Sequence, residues 1–461
     1  MPAPEAQIDI VDDDLNCSLS PETTKAVCGA LEASNHDDLL SAVDGVHPAD
    51  IADLLEQLSA EERKSFVELA GVDLPADILA ELEEGVRDDV VEALDDGFLA
   101  EVVCDLDTDD AVYLLEDLEE ERKQDVLDAL PIADRVAIER SLDYPECSAG
   151  RMMQRDLVAA PAFWTVGQTI DMMRARDDLP SDFYEIIVVD PSHRPLGTIA
   201  LARIMGSKRP ATLDGLMNKD FRSFNVTQAQ EEVAYGFNQY HLVSAPVIDE
   251  TGRLSGVITI DDAMQVLDEE AEEDLMRLGG VGDEELSDTV LETTKQRLPW
   301  LAVNLITAIL ASIIISQFDM VIEKIVALAV LMTIVASMGG NVGTQTLTVA
   351  VRALATKDLT ATNAVRIISR EGLVGFLNGG IFAVVMGAAA WWWYGDPTLG
   401  IVLGVAMIVN MVVAALAGIL IPLGLEKVGA DPALASAVFV TTVTDVVGFF
   451  AFLGLAAVVL L

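Results

Sequence analysis

Cysteine, histidine and basic side chains are all scarce in this 461-residue chain. The four cysteines, Cys17, Cys28, Cys104 and Cys147, form no C-x-x-C pair, and all lie in the first third of the chain. That spacing speaks against a disulfide framework and fits a reducing cytosol. No histidine lies beyond His241, so the apolar second half offers neither imidazole ligands for zinc nor a Ser-His-Asp triad. No catalytic constellation is visible, and an enzyme is the least supported class. Only 28 Lys and Arg face 76 Asp and Glu, a formal charge of −48. So acidic a surface repels nucleic acid and anionic lipid and attracts cations, unless it serves only solubility, as in salt-adapted proteins. The first residues lack a basic stretch followed by an apolar one, so no signal peptide is expected.

The charge is unevenly divided. Residues 1–300 hold 68 acidic and 22 basic side chains, whereas residues 301–461 hold 8 and 6. A very acidic soluble part therefore precedes an apolar membrane part. Five spans are predicted, at roughly 299–318, 321–340, 372–394, 400–425 and 433–458, each near the ~20 residues a helix needs to cross. Lys295, Arg297 and Trp300 stand at the entry to the first span. Arg352, Lys357, Arg366 and Arg370 lie between the second and third, while the opposite loops near Phe318 and Asp396 lack Lys and Arg. This bias puts the soluble part in the cytoplasm and, with five spans, the C-terminus outside.

Asp445 is the only acid in the last apolar run. An ionised carboxylate there costs roughly 2.5 kcal/mol even on the mildest insertion scale. Thr441, Thr442 and Gly448 fall at i−4, i−3 and i+3 from it, on one helical face. A hydroxyl-lined face with one carboxylate suits a hydrated cation in a pore; an interhelical hydrogen bond or a buried ion pair is the alternative. Asp431 stands 14 residues earlier, about 21 Å along a helix by its rise per residue. Span two ends in Gly339-Gly340-Asn341-Val342-Gly343-Thr344-Gln345, where glycines permit close helix approach or a local break. Asn410 in span four reads as an interhelical hydrogen bond.

The soluble part divides further. Residues 1–21 read as a disordered acidic tail. Residues 22–143 read as short amphipathic helices, with near copies at Leu54-Leu55-Glu56-Gln57-Leu58 and Leu114-Leu115-Glu116-Asp117-Leu118, as in a helical superhelix. Asp109 and Asp110 open a predicted helix, where acids suit the positive end of the dipole; a metal shared with another domain is the second reading. Beyond Tyr144 two copies of one plan follow, at 144–212 and 213–260. Ile186-Ile187-Val188-Val189-Asp190 and Ala245-Pro246-Val247-Ile248-Asp249 are strands, each followed by a turn and a second strand; Gly197 closes the first turn before Thr198-Ile199-Ala200, and Gly256 opens Gly256-Val257-Ile258-Thr259-Ile260. This repeat resembles a tandem pair of CBS modules. The resemblance implies a compact disc that often senses adenine nucleotides such as ATP, through an acid at the helix after the second strand. Asp262 holds that position in the second copy, and Arg203 departs from it in the first. Residues 261–297 form an acidic linking helix and connector. Asp262, Glu269, Glu270, Glu273 and Asp274 gather near one side of that helix, which either faces water or recruits divalent cations through hard oxygen ligands.

The order of parts is similar to the MgtE family of magnesium channels. It comprises an all-α acidic superhelical domain, an α/β tandem CBS pair, a linking (plug) helix and a five-span α-helical membrane domain (298–461). Tyr144-Pro145-Glu146-Cys147-Ser148-Ala149-Gly150-Arg151, Gly340-Asn341-Val342-Gly343-Thr344-Gln345, Asp431-Pro432-Ala433 and Thr441-Thr442-Val443-Thr444-Asp445 carry the likeness. It implies a homodimer with one pore between the chains, and Mg²⁺ as both cargo and regulator. Asp445 matches the acid that holds hydrated Mg²⁺, with Asn341 and Thr441 beside it, and Asp431 matches the acid at the cytoplasmic mouth. Asp262, Glu270, Glu273 and Asp274 match the regulatory acids of the plug, and Asp109 or Asp110 their partner in the N-terminal domain. Gln265 stands where a further acid is common, and Thr344 where Asn also occurs. A carrier of Mn²⁺, Co²⁺ or Ca²⁺, or a membrane-anchored sensor that moves nothing, are the competing readings.

Overall fold

A computed structural model describes residues 20–461 apart from 72–73, 117, 177–178, 181–182, 282–289, 361 and 434–435. Nearly all of the predicted tail at 1–21, and residues 282–289 of the connector after Gly280, lie outside the described residues. The chain forms two compact units, Met1–Leu267 and Asp268–Leu461.

The first unit begins with short helices: α1 (Pro21–Ala33), α2 (His36–Val43), α3 (Pro48–Gln57), α4 (Ala60–Ala70), α5 (Asp77–Ala80), α6 (Glu84–Ala93), α7 (Asp96–Asp105), α8 (Thr108–Glu116), α9 (Glu120–Ala129) and α10 (Ile132–Leu142). Their apolar faces close on one core that includes Leu54, Leu55, Phe66, Leu99, Leu114 and Leu115. The two sequence copies thus have one job: each leucine run ends a helix, and the charged run after it starts the next. Arg63 on α4 donates to Leu58 O at 3.0 Å and pairs with Asp89 at 2.7 Å. Arg122 on α9 likewise donates to Leu94 O at 2.7 Å and pairs with Asp96 at 2.8 Å. A basic side chain so placed satisfies a carbonyl left over at a helix end.

The α/β part follows as β1 (Ala159–Pro161), α11 (Val166–Ala175), β2 (Glu185–Val189), β3 (Pro195–Ala200), α12 (Leu201–Met205), α13 (Leu213–Leu216), β4 (Phe224–Asn225), α14 (Gln230–Tyr240), β5 (Ser244–Ile248) and β6 (Leu254–Thr259). There are two three-stranded sheets, β1-β2-β3 and β4-β5-β6. In each the last pair is antiparallel, and the first strand, too short to give a periodic signal, joins in parallel. The repeated Asp has the same task twice. Asp190 Oδ1 accepts from the Ser192 and Arg194 amides at 2.8 and 2.9 Å. Asp249 Oδ1 accepts from the Thr251 and Arg253 amides at 2.8 and 2.9 Å. The repeated Gly does too: a Cβ on Gly197 would strike Asn218 O, and one on Gly256 would lie 2.7 Å from Gln154 O. The cores interleave. Ala149, Met152 and Met153 pack with the second sheet, whereas Leu213 packs with the first.

Helix α15 (Ile260–Gly279) follows. It closes as a Schellman turn: Gly280 has φ +72°, its amide donates to Arg277 O, and the Val281 amide donates to Met276 O at 3.1 Å. The second unit holds the later turns of α15 with α16 (Val290–Ser316), α17 (Asp319–Lys324), α18 (Ala327–Ala355), α19 (Ala364–Tyr394), α20 (Pro397–Lys427) and α21 (Ser436–Val459). All but α15 and α17 are long and apolar enough to cross a membrane. α20 is the best buried and packs on α18, α19 and α21.

Two expectations change here. The glycine-rich stretch does not end a span: α18 runs unbroken from Ala327 to Ala355, so Asn341 sits mid-helix and the glycines serve close approach. A Cβ on Gly343 would lie 2.5 Å from Val440 of α21, and one on Gly339 would overlap Asn410 of α20. Lys324, placed by sequence within span two, instead ends α17, so the α16–α18 connection does carry a basic side chain. Asn410 is the interhelical hydrogen bond the sequence suggested: fully buried, it donates to Val335 O on α18 at 2.8 Å.

Candidate cation sites

Three groups of polar side chains stand out. The first is within the spans. Asp445 is half-buried on α21 and Thr441, one turn earlier, is exposed, as are Asn341 and Thr344 on α18. α18 and α21 touch where Gly343 faces Val440 and Thr444, because glycine lets the two backbones approach. Thr441 and Thr344 donate their hydroxyl protons to Ala437 O (2.8 Å) and Gly340 O (3.0 Å) on their own helices. Each proton is thus spent on the backbone, and the oxygen keeps lone pairs that can accept from water or face a cation. Gly448, on the expected hydroxyl face, is buried against Asn410 instead.

The second group is at the end of the spans where the sequence places its basic side chains. Asp431 is not on α21, which begins at Ser436, so a helical rise does not measure its separation from Asp445. It sits in the turn after α20, and its Oδ1 accepts from the Ala433 amide at 2.8 Å. Its Oδ2 pairs with Arg277 of α15, which also pairs with Glu273 one turn back. Leu278 packs beside these on Leu347, Val351, Ala433 and Val440. Burial, and then the Asp431 charge, push the Asp274 carboxyl above the usual carboxylate range. Arg277 was missed from sequence. The available signal was that it is the only basic residue of α15, four residues after Glu273.

The third group lies in the first unit. Asp109 on α8 is 8% exposed. Its Oδ1 accepts from the Asp110 amide at 3.1 Å, and its Oδ2 is buried without a hydrogen-bond partner. Burial, then the charge of Asp262, drive Asp109 well above the usual range. The same causes, with Asp107, Glu81 and Asp261 behind them, push Asp110 up to about 7. Asp262 accepts from the Thr259 amide (3.1 Å) and hydroxyl (2.6 Å), closing the start of α15, yet burial still pushes it up to about 6. Thr259, just before Ile260, therefore holds the capping position.

The fold brings Asp109, Asp110 and Asp262 together, and separately Glu273, Asp274 and Asp431. The single cluster expected along α15 is thus split between its two ends; Glu270 lies half-buried between them. Among the described residues, no three His, Cys, Asp or Glu side chains already close round one ion. The orphaned Asp109 oxygen and the carboxylate-only donor set nevertheless fit a hard divalent cation. A solvent-open cavity of about 600 Å³ in the first α/β module is lined by Glu185, Thr198, Arg203, Asn218, Lys219 and Asp220, among others; Asp262 is not part of it.

Three family models match the chain: the MgtE divalent cation transporter at residues 332–455, the MgtE intracellular N domain at 46–147, and the CBS domain at 213–269. A magnesium transporter MgtE of Thermus thermophilus is 30% identical over 443 residues, covering 94% of this chain and 97% of that protein. Another from Enterococcus faecalis is 33% identical over 320 residues, covering 69% and 71%. A solved cytosolic domain of the Mg²⁺ channel MgtE in complex with ATP is 27% identical, with a TM-score of 0.48; it covers 53% of this chain and 99% of that one.

Proposed function

The chain belongs to the MgtE family of magnesium transporters, and from that premise we propose that it passes Mg²⁺ through a pore lined by α18 and α21 and closed by cytosolic Mg²⁺. The observation that carries this reading is the exposure of Asn341, Thr344 and Thr441 beside half-buried Asp445 on helices that are mostly apolar. Lipid tails satisfy no polar side chain, so this face meets water, a second copy of the chain, or both. A homodimer with the pore between two such faces meets that need, with the soluble domains in the cytoplasm and the C-terminus outside. Mg²⁺ sheds its water reluctantly, so Asp445 acts mainly on the hydrated ion.

Closure follows from electrostatics. Asp109, Asp110 and Asp262 repel one another when ionised, and a divalent ion between them replaces repulsion with attraction. Glu270, Glu273, Asp274 and Asp431 offer further oxygens along α15 and at the mouth. When Mg²⁺ falls, repulsion favours separation and the open state. Mg²⁺ uptake into liposomes, with internal Mg²⁺ varied, is the test. Asp445→Asn should cut flux by at least about tenfold while the protein still assembles, since it removes the one carboxylate charge of α21 that attracts the hydrated ion. Wild-type flux in that variant refutes the pore assignment; wild-type flux of Mn²⁺ or Ca²⁺ in competition refutes the choice of ion. Neutralising Asp262, Glu270 and Glu273 together should leave flux that ignores internal Mg²⁺, and retained inhibition refutes the gating reading.

We assign ATP, if bound, to the cavity beside Arg203 rather than to Asp262, whose carboxylate is committed to Thr259 and faces Asp109 and Asp110. Loss of ATP binding in Arg203→Ala, with Asp262→Asn unaffected, is the expected calorimetric result.

A further inference from the structure

Arg277 stands out because it places a cation where the gate is otherwise made of acids. Its guanidinium bridges Glu273 on its own helix and Asp431 in the turn before α21, and all three side chains are about one-quarter to one-third exposed. The next residue, Leu278, packs on Leu347 and Val351 of α18 and on Ala433 and Val440. The end of α15 is thus held at the cytoplasmic ends of the two proposed pore helices by one ion-pair bridge and one apolar contact. Neither requires a metal.

We propose that Arg277 is a tethered cation that keeps the plug docked on the mouth, giving the gate a closed component independent of Mg²⁺. This rests on the gate reading above. A fixed guanidinium offsets part of the charge of Asp431 and Glu273 at any Mg²⁺ concentration, so less of the attraction at this end of α15 has to come from an ion. Its planar fork suits two carboxylates at once, which an ammonium matches less well. Without it, Glu273 and Asp431 would lose the cation that pairs them beside Asp274, and docking would depend more heavily on a divalent ion.

The test uses full-length protein in liposomes, with its own cysteines replaced and a new pair, Leu278→Cys and Ala433→Cys, reporting docking by disulfide formation. With Arg277 present, cross-linking should be slower in EDTA than in millimolar Mg²⁺ but should continue at a measurable rate. Arg277→Met keeps an apolar stem and removes the charge. It should slow cross-linking in EDTA by about fivefold, the scale of a partly exposed ion pair. Mg²⁺ should restore the rate, and Arg277→Lys should fall between. In the same variant without the reporter cysteines, Mg²⁺ flux at zero internal Mg²⁺ should rise by a similar factor. Cross-linking in EDTA that is unchanged by Arg277→Met overturns the proposal and leaves the gate reading standing. Absence of the cross-link even in Mg²⁺ overturns the docked mouth itself, and the proposal with it.

Discussion

Replacing Asp110 with Asn should stabilise the metal-free soluble part, and by a pH-dependent amount. The Asp110 carboxyl moves from 3.8 to about 7 in the fold. At about 1.4 kcal/mol per unit, ionising it in place costs about 4 kcal/mol more than in the free chain. Asp109 and Asp262 share this repulsion, so their shifts are not added to it. The sign follows from linkage. A group raised by folding is fully protonated in both states below 3.8, where it has no effect. Stability is then lost progressively as pH rises, and the loss is complete above about 7. Hydrogen exchange of α8 amides in the full-length protein, in EDTA and corrected for intrinsic rates, measures the opening. Between pH 5 and pH 8, wild-type protection should fall by roughly a hundredfold, the equivalent of about 2.7 kcal/mol, the rest of the loss having occurred between pH 3.8 and pH 5. In Asp110→Asn the fall should shrink to a small residue from Asp109 and Asp262. Millimolar Mg²⁺ should restore wild-type protection at pH 8 by binding the assembled state alone, and should do little for the variant. Matching pH profiles in the two proteins, or equal gains from Mg²⁺, would refute the claim that repulsion among these acids drives separation.

Gly339→Ala should lower the thermal stability of the purified membrane domain in the full chain by about 1–3 kcal/mol, the usual cost of overpacking, because its Cβ would overlap Asn410. Adding Asn410→Ala should recover much of that loss, and melting curves of the single and double variants decide it. Gly256→Ala should destabilise the α/β part on the same scale, since the new Cβ would meet Gln154 O and Met153 Sδ, both at 2.7 Å; unchanged proteolytic resistance of residues 144–260 would count against the interleaved packing. Thr259→Ala should weaken the start of α15 by about 1 kcal/mol by removing a capping partner of Asp262, read as faster exchange in its first turn.

Much of the architecture is visible in local pattern. The five spans follow from apolar length, and the paired modules from Asp190 and Asp249, whose short side chains fold the backbone into the same turn wherever they stand. The short parallel strands β1 and β4 escaped because two or three residues carry no period. The candidate acids are legible as residue types but not as groupings. Glu273 and Asp262 share one helix in sequence, yet the fold sends them to different partners at its two ends.

The sequence by itself determined that an acidic soluble half precedes five apolar spans, and that one carboxylate sits in the last of them, since charge and periodicity are local properties. Tertiary structure alone decided that α18 is continuous, that its glycines receive Asn410 and Val440, and that Arg277 meets Asp431 across 154 residues of chain. These are contacts between distant segments. Close packing and electrostatic complementarity select them together, and no short window of sequence contains both partners.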